Sequence, residues 1–160
     1  MRKINFEISI EIFEWDELSA VDQRLMQTAR EAIGGAYAPY SQFRVGAAVL
    51  LEDGTTVKGS NQENAAYPSG LCAERTAIFA TGATYPNQII KAIAVTAKPV
   101  ESTDFVGASP CGACRQAMLE YEVKQQQPIR LLVQGNNNQV CIIQSVDNLL
   151  PMGFSSEHLK

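Results

Sequence analysis

Cys72-Ala73-Glu74-Arg75 and Pro110-Cys111-Gly112-Ala113-Cys114-Arg115 are the two stretches around which the chain is organised. Together they offer three thiols and a carboxylate. Three thiolates suit a tetrahedral Zn²⁺ and leave its fourth corner open, where a catalytic zinc holds water. The pKa of that water can fall towards ~7, which makes hydroxide available at neutral pH. Glu74, two residues from Cys72, is placed to move protons between the water and a substrate. A lone Cys-x-x-Cys is a weak signal, common to zinc ribbons and redox motifs. Cys-x-Glu upstream and Pro directly before the pair make the combination far more specific.

Outward from these stretches the chain reads as alternating strands and helices. Each metal-binding stretch opens a helix, from about Cys72 to Thr81 (stopped by Gly82) and from about Cys111 to Lys124. A helix N-terminus carries partial positive charge and free N–H groups, which favour thiolate. Residues 89–97 form an apolar strand between the two helices, and 129–133 a strand after the second. The Gly135–Asn138 turn is too short for a helical crossover, so Val140–Ile143 returns antiparallel. Upstream, Arg44 to Leu51 is a buried strand, and Asp53-Gly54 marks a tight hairpin to Thr55–Gly59. Residues 18–33 have helical spacing, with Leu18, Val21, Leu25, Met26, Ala29 and Ile33 as the apolar positions, Ser19 as cap and Gly34-Gly35 as stop. In residues 4–12, Ile4, Phe6, Ile8, Ile10 and Ile12 alternate with polar residues, which predicts a strand with one buried face. The expectation is an α/β fold of three layers: a mixed, mostly five-stranded sheet with helices on both faces, in one domain over 1–160, residues 1–15 adding an N-terminal strand.

Composition narrows the function. The 160 residues are 46% apolar and 19% charged, with a formal net charge of −4. Lys and Arg are scattered, so nothing resembles the basic face that grips polynucleotide, and a small-molecule substrate is expected. No stretch approaches the ~20 apolar residues of a membrane span, and no secretory h-region is visible. A cytoplasmic location is expected, where four cysteines favour metal over disulfides.

Cys72-Ala-Glu74 followed by Pro110-Cys-Gly-Ala-Cys114 matches the zinc-deaminase signature of His/Cys-x-Glu and Pro-Cys-x-x-Cys. The chain from about Ala36 to Leu159 resembles the small, homotetrameric cytidine deaminases of the three-Cys type. The blocks that carry the resemblance are Tyr-Ala-Pro-Tyr-Ser-Gln-Phe-Arg-Val-Gly-Ala-Ala (37–48), Gly-Ser-Asn-Gln-Glu-Asn-Ala-Ala-Tyr (59–67), the two metal stretches, and Leu-Leu-Pro (149–151) with Phe154. It implies one Zn²⁺ per subunit on Cys72, Cys111 and Cys114, with Glu74 as the catalytic proton carrier. Asn61 and Glu63 would hold the ribose 3′-hydroxyl, and Phe43 would pack on the pyrimidine. The Ala73 backbone and Glu74 would read the pyrimidine's polar edge. Ala65, Tyr67 and Phe154 would reach a neighbouring subunit's site in a homotetramer. Ser60 and Arg44 depart from the Cys and Pro of many relatives, and neither is a metal ligand. The implied reaction is hydrolytic deamination of cytidine and deoxycytidine to uridine and deoxyuridine in pyrimidine salvage.

Competing readings sit beside this one. A structural zinc would be closed by Cys141 or His158, which leaves Glu74 unexplained. The same chemistry could serve another cytosine nucleoside such as blasticidin, and a different class is a zinc-stabilised nucleic-acid-binding module. Charge raises a further point: three thiolates and Zn²⁺ sum to −1, which is poor at acidifying bound water. Arg75 and Arg115, each next to a ligand, are expected to draw charge off sulfur.

Overall fold

The computed structural model describes residues 1–159. The strands are β1 (Glu11–Phe13), β2 (Phe43–Leu51), β3 (Thr56–Ser60), β4 (Ile90–Pro99), β5 (Arg130–Gln134) and β6 (Val140–Ile143), and the α-helices are α1 (Ala20–Ala32), α2 (Ala73–Thr84) and α3 (Gly112–Gln125). All six strands join one sheet in the order β1-β6-β5-β4-β2-β3. Only β4 and β5 run parallel, joined through α3; every other neighbour is antiparallel. The sixth strand is β1, a short N-terminal strand that adds to the sheet edge beside β6.

The period of two along β2 sends successive residues to opposite layers. Ala47, Val49 and Leu51 pack with Ala73, Ala77 and Ile78 of α2 and Met118 and Leu119 of α3. Ala48 packs with Leu25, Met26 and Ala29 of α1 on the other face. Helices thus cover both faces, as the alternation of elements predicts.

Local chemistry explains most boundaries. The Ser19 hydroxyl accepts from the Asp22 N–H at 3.1 Å, which caps α1. Asp53 Oδ1 accepts from the Thr55 N–H at 2.9 Å in the hairpin, and Gly54 has φ of 87°. Asn137 and Asn138 carry positive φ in the turn between β5 and β6, a conformation Asn tolerates better than most residues.

Three expectations need correction. Residues 4–12 do not make one long buried strand. Only residues 11–13 pair with β6, and Ile4, Phe6, Ile8, Ile10 and Ile12 are all exposed. Alternation encodes a strand's two faces but not what covers them, and this chain supplies no covering layer there. Val21 likewise lies exposed on α1. Gly82 does not stop α2, which runs on to Thr84. A Cβ at Gly82 would collide with the Tyr121 hydroxyl, so this glycine serves the contact between α2 and α3. Among the described residues no helix is long and apolar enough to cross a membrane.

Candidate active site

Cys72 is the N-cap of α2, and Cys111 the N-cap of α3. Both helices pack on the same sheet face, so their N-termini and the sulfurs they carry converge. Cys114, one turn into α3, completes the set. The three Sγ atoms lie within 4.8 Å of one another, with Cys72–Cys111 at 3.9 Å and Cys111–Cys114 at 3.5 Å. A tetrahedron with Zn–S bonds of ~2.3 Å has edges of roughly 3.8 Å, so this donor set fits zinc. All four cysteines are free thiols, and neither Cys141 nor His158 joins the cluster. The closed structural site with a fourth side-chain ligand is therefore not formed by these two residues.

The sulfurs are electrostatically linked. A hydrogen bond from the Cys114 thiol brings Cys72 down to about 5, with help from Arg75, while the same interaction pushes Cys114 up.

Glu74 sits in the first turn of α2 and is only 4% exposed. Burial raises its carboxyl above the ordinary range, and the Cys72 thiolate adds to the rise. It lines a cavity of about 650 Å³ that Phe43, Asn61, Glu63, Tyr67, Cys72, Arg75 and Cys111 share. Ala73 is fully buried behind this wall.

Asn61 and Glu63, expected to hold the ribose hydroxyl, have structural partners of their own. Asn61 Nδ2 donates to the Phe43 carbonyl at 2.9 Å, and its Oδ1 accepts from the Val45 N–H at 2.8 Å. The amide thus fixes the start of β2 and the Phe43 ring, and keeps one N–H and one lone pair to spare. Glu63 Oε2 accepts from the N–H groups of Tyr40 at 2.9 Å and Ser41 at 3.2 Å. Those bonds, with the Ser41 side chain first, hold its carboxyl below the usual range. Both of these backbone bonds fall on Oε2.

Arg75 and Arg115 behave differently. Despite desolvation, the Arg75 guanidinium is held above its ordinary value by the Cys72 thiolate, and its Nε is buried with no partner. Arg115 donates to two carbonyls, Pro110 at 2.9 Å and Leu149 at 3.0 Å. These bonds reach the metal stretch through the backbone before Cys111 rather than through sulfur.

Ala65, Tyr67 and Phe154 are exposed. The Tyr67 ring meets Tyr40 edge-on at 6.2 Å. Phe154 lies outside this chain's cavity, stacked on His158, with its backbone bonded both ways to the Gln116 amide. Sequence reasoning left out Leu71 and Ser109, which also line the cavity. Their position directly before Cys72 and Pro110 was the available signal.

Two helix N-termini carrying three thiols beside a buried glutamate, on a mixed sheet covered on both sides, define a zinc-site deaminase class. Residues 19–127 match the family described as the cytidine and deoxycytidylate deaminase zinc-binding region, and the chain belongs to that family. It is 38% identical over 139 residues to a cytidine deaminase of Halalkalibacterium halodurans, covering 86% of this chain and 96% of that one. A cytidine deaminase of Sporosarcina psychrophila is 41% identical over 139 residues, covering 86% and 93%. The crystal structure of a cytidine deaminase from Burkholderia pseudomallei superposes with a TM-score of 0.69 at 39% identity, covering 82% of this chain and 97% of its own.

Proposed function

We propose that this chain catalyses hydrolytic deamination of cytidine and deoxycytidine, giving uridine or deoxyuridine and ammonia. The observation that carries the reading is Glu74, buried in the cavity wall beside three converging sulfurs. Cys72, Cys111 and Cys114 would hold one Zn²⁺ per chain, which when bound supplies Lewis acidity towards a water nucleophile.

The chain's own residues do the rest. Glu74 accepts a proton from the attacking water as oxygen adds to C4 of the base. It passes that proton to N3, and then helps deliver the second proton to the departing amine. A carboxyl whose pKa burial has raised suits both halves of this shuttle. Phe43, steadied by Asn61, packs against the pyrimidine. Glu63 and Asn61, the latter with its spare N–H and lone pair, take the sugar hydroxyls. The Ala73 backbone, next to Glu74, reads the polar edge of the base. Arg75 balances the negative thiolates, and Arg115 holds the Pro110 carbonyl and so the approach to Cys111.

The same reading treats residues 1–160 as one domain and the working enzyme as a homotetramer. Tyr67 and Phe154, both exposed aromatics, together with Ala65 are free to meet a neighbouring subunit's cavity. Four free thiols suit the reducing cytoplasm and a place in pyrimidine salvage. The test is ammonia release by the zinc-loaded protein from cytidine, deoxycytidine, their 5′-phosphates, cytosine and an aminoglycosyl cytosine. Turnover of another cytosine compound with neither cytidine nor deoxycytidine consumed would overturn the substrate assignment.

A further inference from the structure

The segment before the family-matched region is the part of the molecule that the reaction does not use. Residues 1–18 precede that match. Within them, residues 4–12 alternate strictly between apolar and polar side chains, in phase with β1. Yet among the described residues Met1–Ile10 belong to no strand and share in no backbone hydrogen bond. Ile4 is 75% exposed, Phe6 59% and Ile12 62%. Among the described residues β1 pairs only with β6 and so forms the edge of the sheet. A sheet edge continued by a strand-patterned arm that lies outside the sheet is a template for another strand.

Charge identifies that strand. The polar row of the arm is Lys3, Asn5, Glu7, Ser9 and Glu11: positive at one end, negative at the other. Parallel pairing of two arms would set Lys3 beside Lys3 and Glu7 beside Glu7. Antiparallel pairing centred on Asn5 sets Lys3 opposite Glu7 twice, Ile4 opposite Phe6 twice and Arg2 opposite Ile8 twice, with no like charges facing. Directly opposite charges and large apolar pairs are what stabilise neighbouring strands. Neither Lys3 nor Glu7 makes an ion pair within the chain among the described residues. A sequence that complements itself when reversed is the mark of a two-fold contact between identical chains.

We propose that Met1–Ile10 is an association arm, which pairs antiparallel with the same arm of a second copy of this chain and joins two molecules outside the catalytic cavity. This contact stands apart from the proposed reaction, and its test reads assembly rather than turnover.

The alternative occupant is the chain's own surface. Ile8 and Ile10 border a cavity of about 730 Å³ together with Val133, Ile143, Leu149 and Pro151, and the arm could fold back to fill it. The experiment is sedimentation over a range of concentrations with the full chain, a chain lacking residues 1–10, Lys3→Glu, Glu7→Lys and the double variant Lys3→Glu/Glu7→Lys. The expected result is that deletion and each single reversal raise the concentration for half-dissociation by about tenfold, and that the double reversal restores it to within about threefold. Unchanged assembly on deletion overturns the proposal. So does weakening on deletion that neither reversal reproduces, because the arm then binds elsewhere than to its own copy. A loss of thermal stability with assembly unchanged assigns the arm to its own groove and overturns it too. If the truncated chain fails to fold, the reversals at exposed positions still decide: singles equal to the full chain, or a double no better than the singles, refute the pairing.

Discussion

Replacing Glu122 by Gln changes one atom and should cost about 2–3 kcal/mol of stability. The carboxylate is buried on α3 and fully occupied. Its Oε2 accepts from the N–H groups of Ile129 at 2.7 Å and Val146 at 2.9 Å. Its Oε1 accepts from the Ser145 hydroxyl at 2.5 Å and the Asp147 N–H at 3.2 Å. A glutamine keeps one acceptor oxygen. The better orientation leaves that oxygen on the Ile129 and Val146 side. The new NH₂ then faces the Ser145 hydroxyl, which can turn to accept, and the Asp147 N–H, which cannot. One N–H is stranded, at about 1–3 kcal/mol, and two bonds lose their charge assistance, at about 1 kcal/mol each. The neutral amide is cheaper to bury, which offsets part of the sum. Urea unfolding of the zinc-loaded protein measures the difference. Glu122 also holds the turn whose Leu149 carbonyl receives Arg115, so the variant should lose zinc to a chelator several-fold faster. Stability within about 0.5 kcal/mol of the original, with unchanged zinc loss, would refute the reasoning.

The site itself makes further predictions. Glu74→Gln keeps size and zinc content but should lower cytidine turnover by about 10²–10⁴-fold, measured as ammonia release; a loss of only a few-fold would remove Glu74 from the proton path. Arg75→Gln should cut kcat more than it raises KM and weaken zinc retention, and Cys72→His in that background should recover part of the rate by removing one negative charge; full kcat with zinc bound would leave the helix termini as sufficient compensation. Free cytosine, which offers Glu63 and Asn61 no hydroxyl, should show a much lower kcat/KM than cytidine, and comparable values would dismiss the sugar contacts. In metal-stripped protein the alkylation rate of Cys72 should climb as pH rises through about 5 and level off above it, because the thiolate is the reactive form and Cys114 stabilises it; a rise centred near the ordinary thiol range would contradict that hydrogen bond.

Much of this molecule is legible from local chemistry. Ser19 with Asp22, and Asp53 with Gly54, mark element ends because each uses a side chain to satisfy its own backbone. The metal set is legible because two helix N-termini recruit it. The unreadable parts involve groups that answer to distant partners. Gly82 looks like a stop until Tyr121, far along the chain, is laid across it. Asn61 and Glu63 read as ligand-binding polars, yet each spends part of its capacity on β2 or the preceding loop. Arg115 is adjacent in sequence to Cys114 but donates to Leu149, and nothing local encodes a bond across that separation. The alternation over residues 4–12 gives the two faces correctly and the burial wrongly, because burial depends on what else is present.

Gly59 of β3 lies directly beneath the first two turns of α2. A Cβ there would collide with the Ala77 N–H and stand 2.5 Å from the Ala73 carbonyl. Backbone rests on backbone, with no compressible side chain between the helix and the sheet. The start of α2, which carries Cys72 and Glu74, therefore sits at a depth on the sheet set by main-chain contact with β3. Any breadth in the substrates this cavity accepts must come from its ceiling, the loops bearing Tyr40, Glu63 and Leu71, while the chemical step stays at one fixed depth. Directed evolution of new base specificity should accordingly harvest its changes from those loops and return almost none from the helix start.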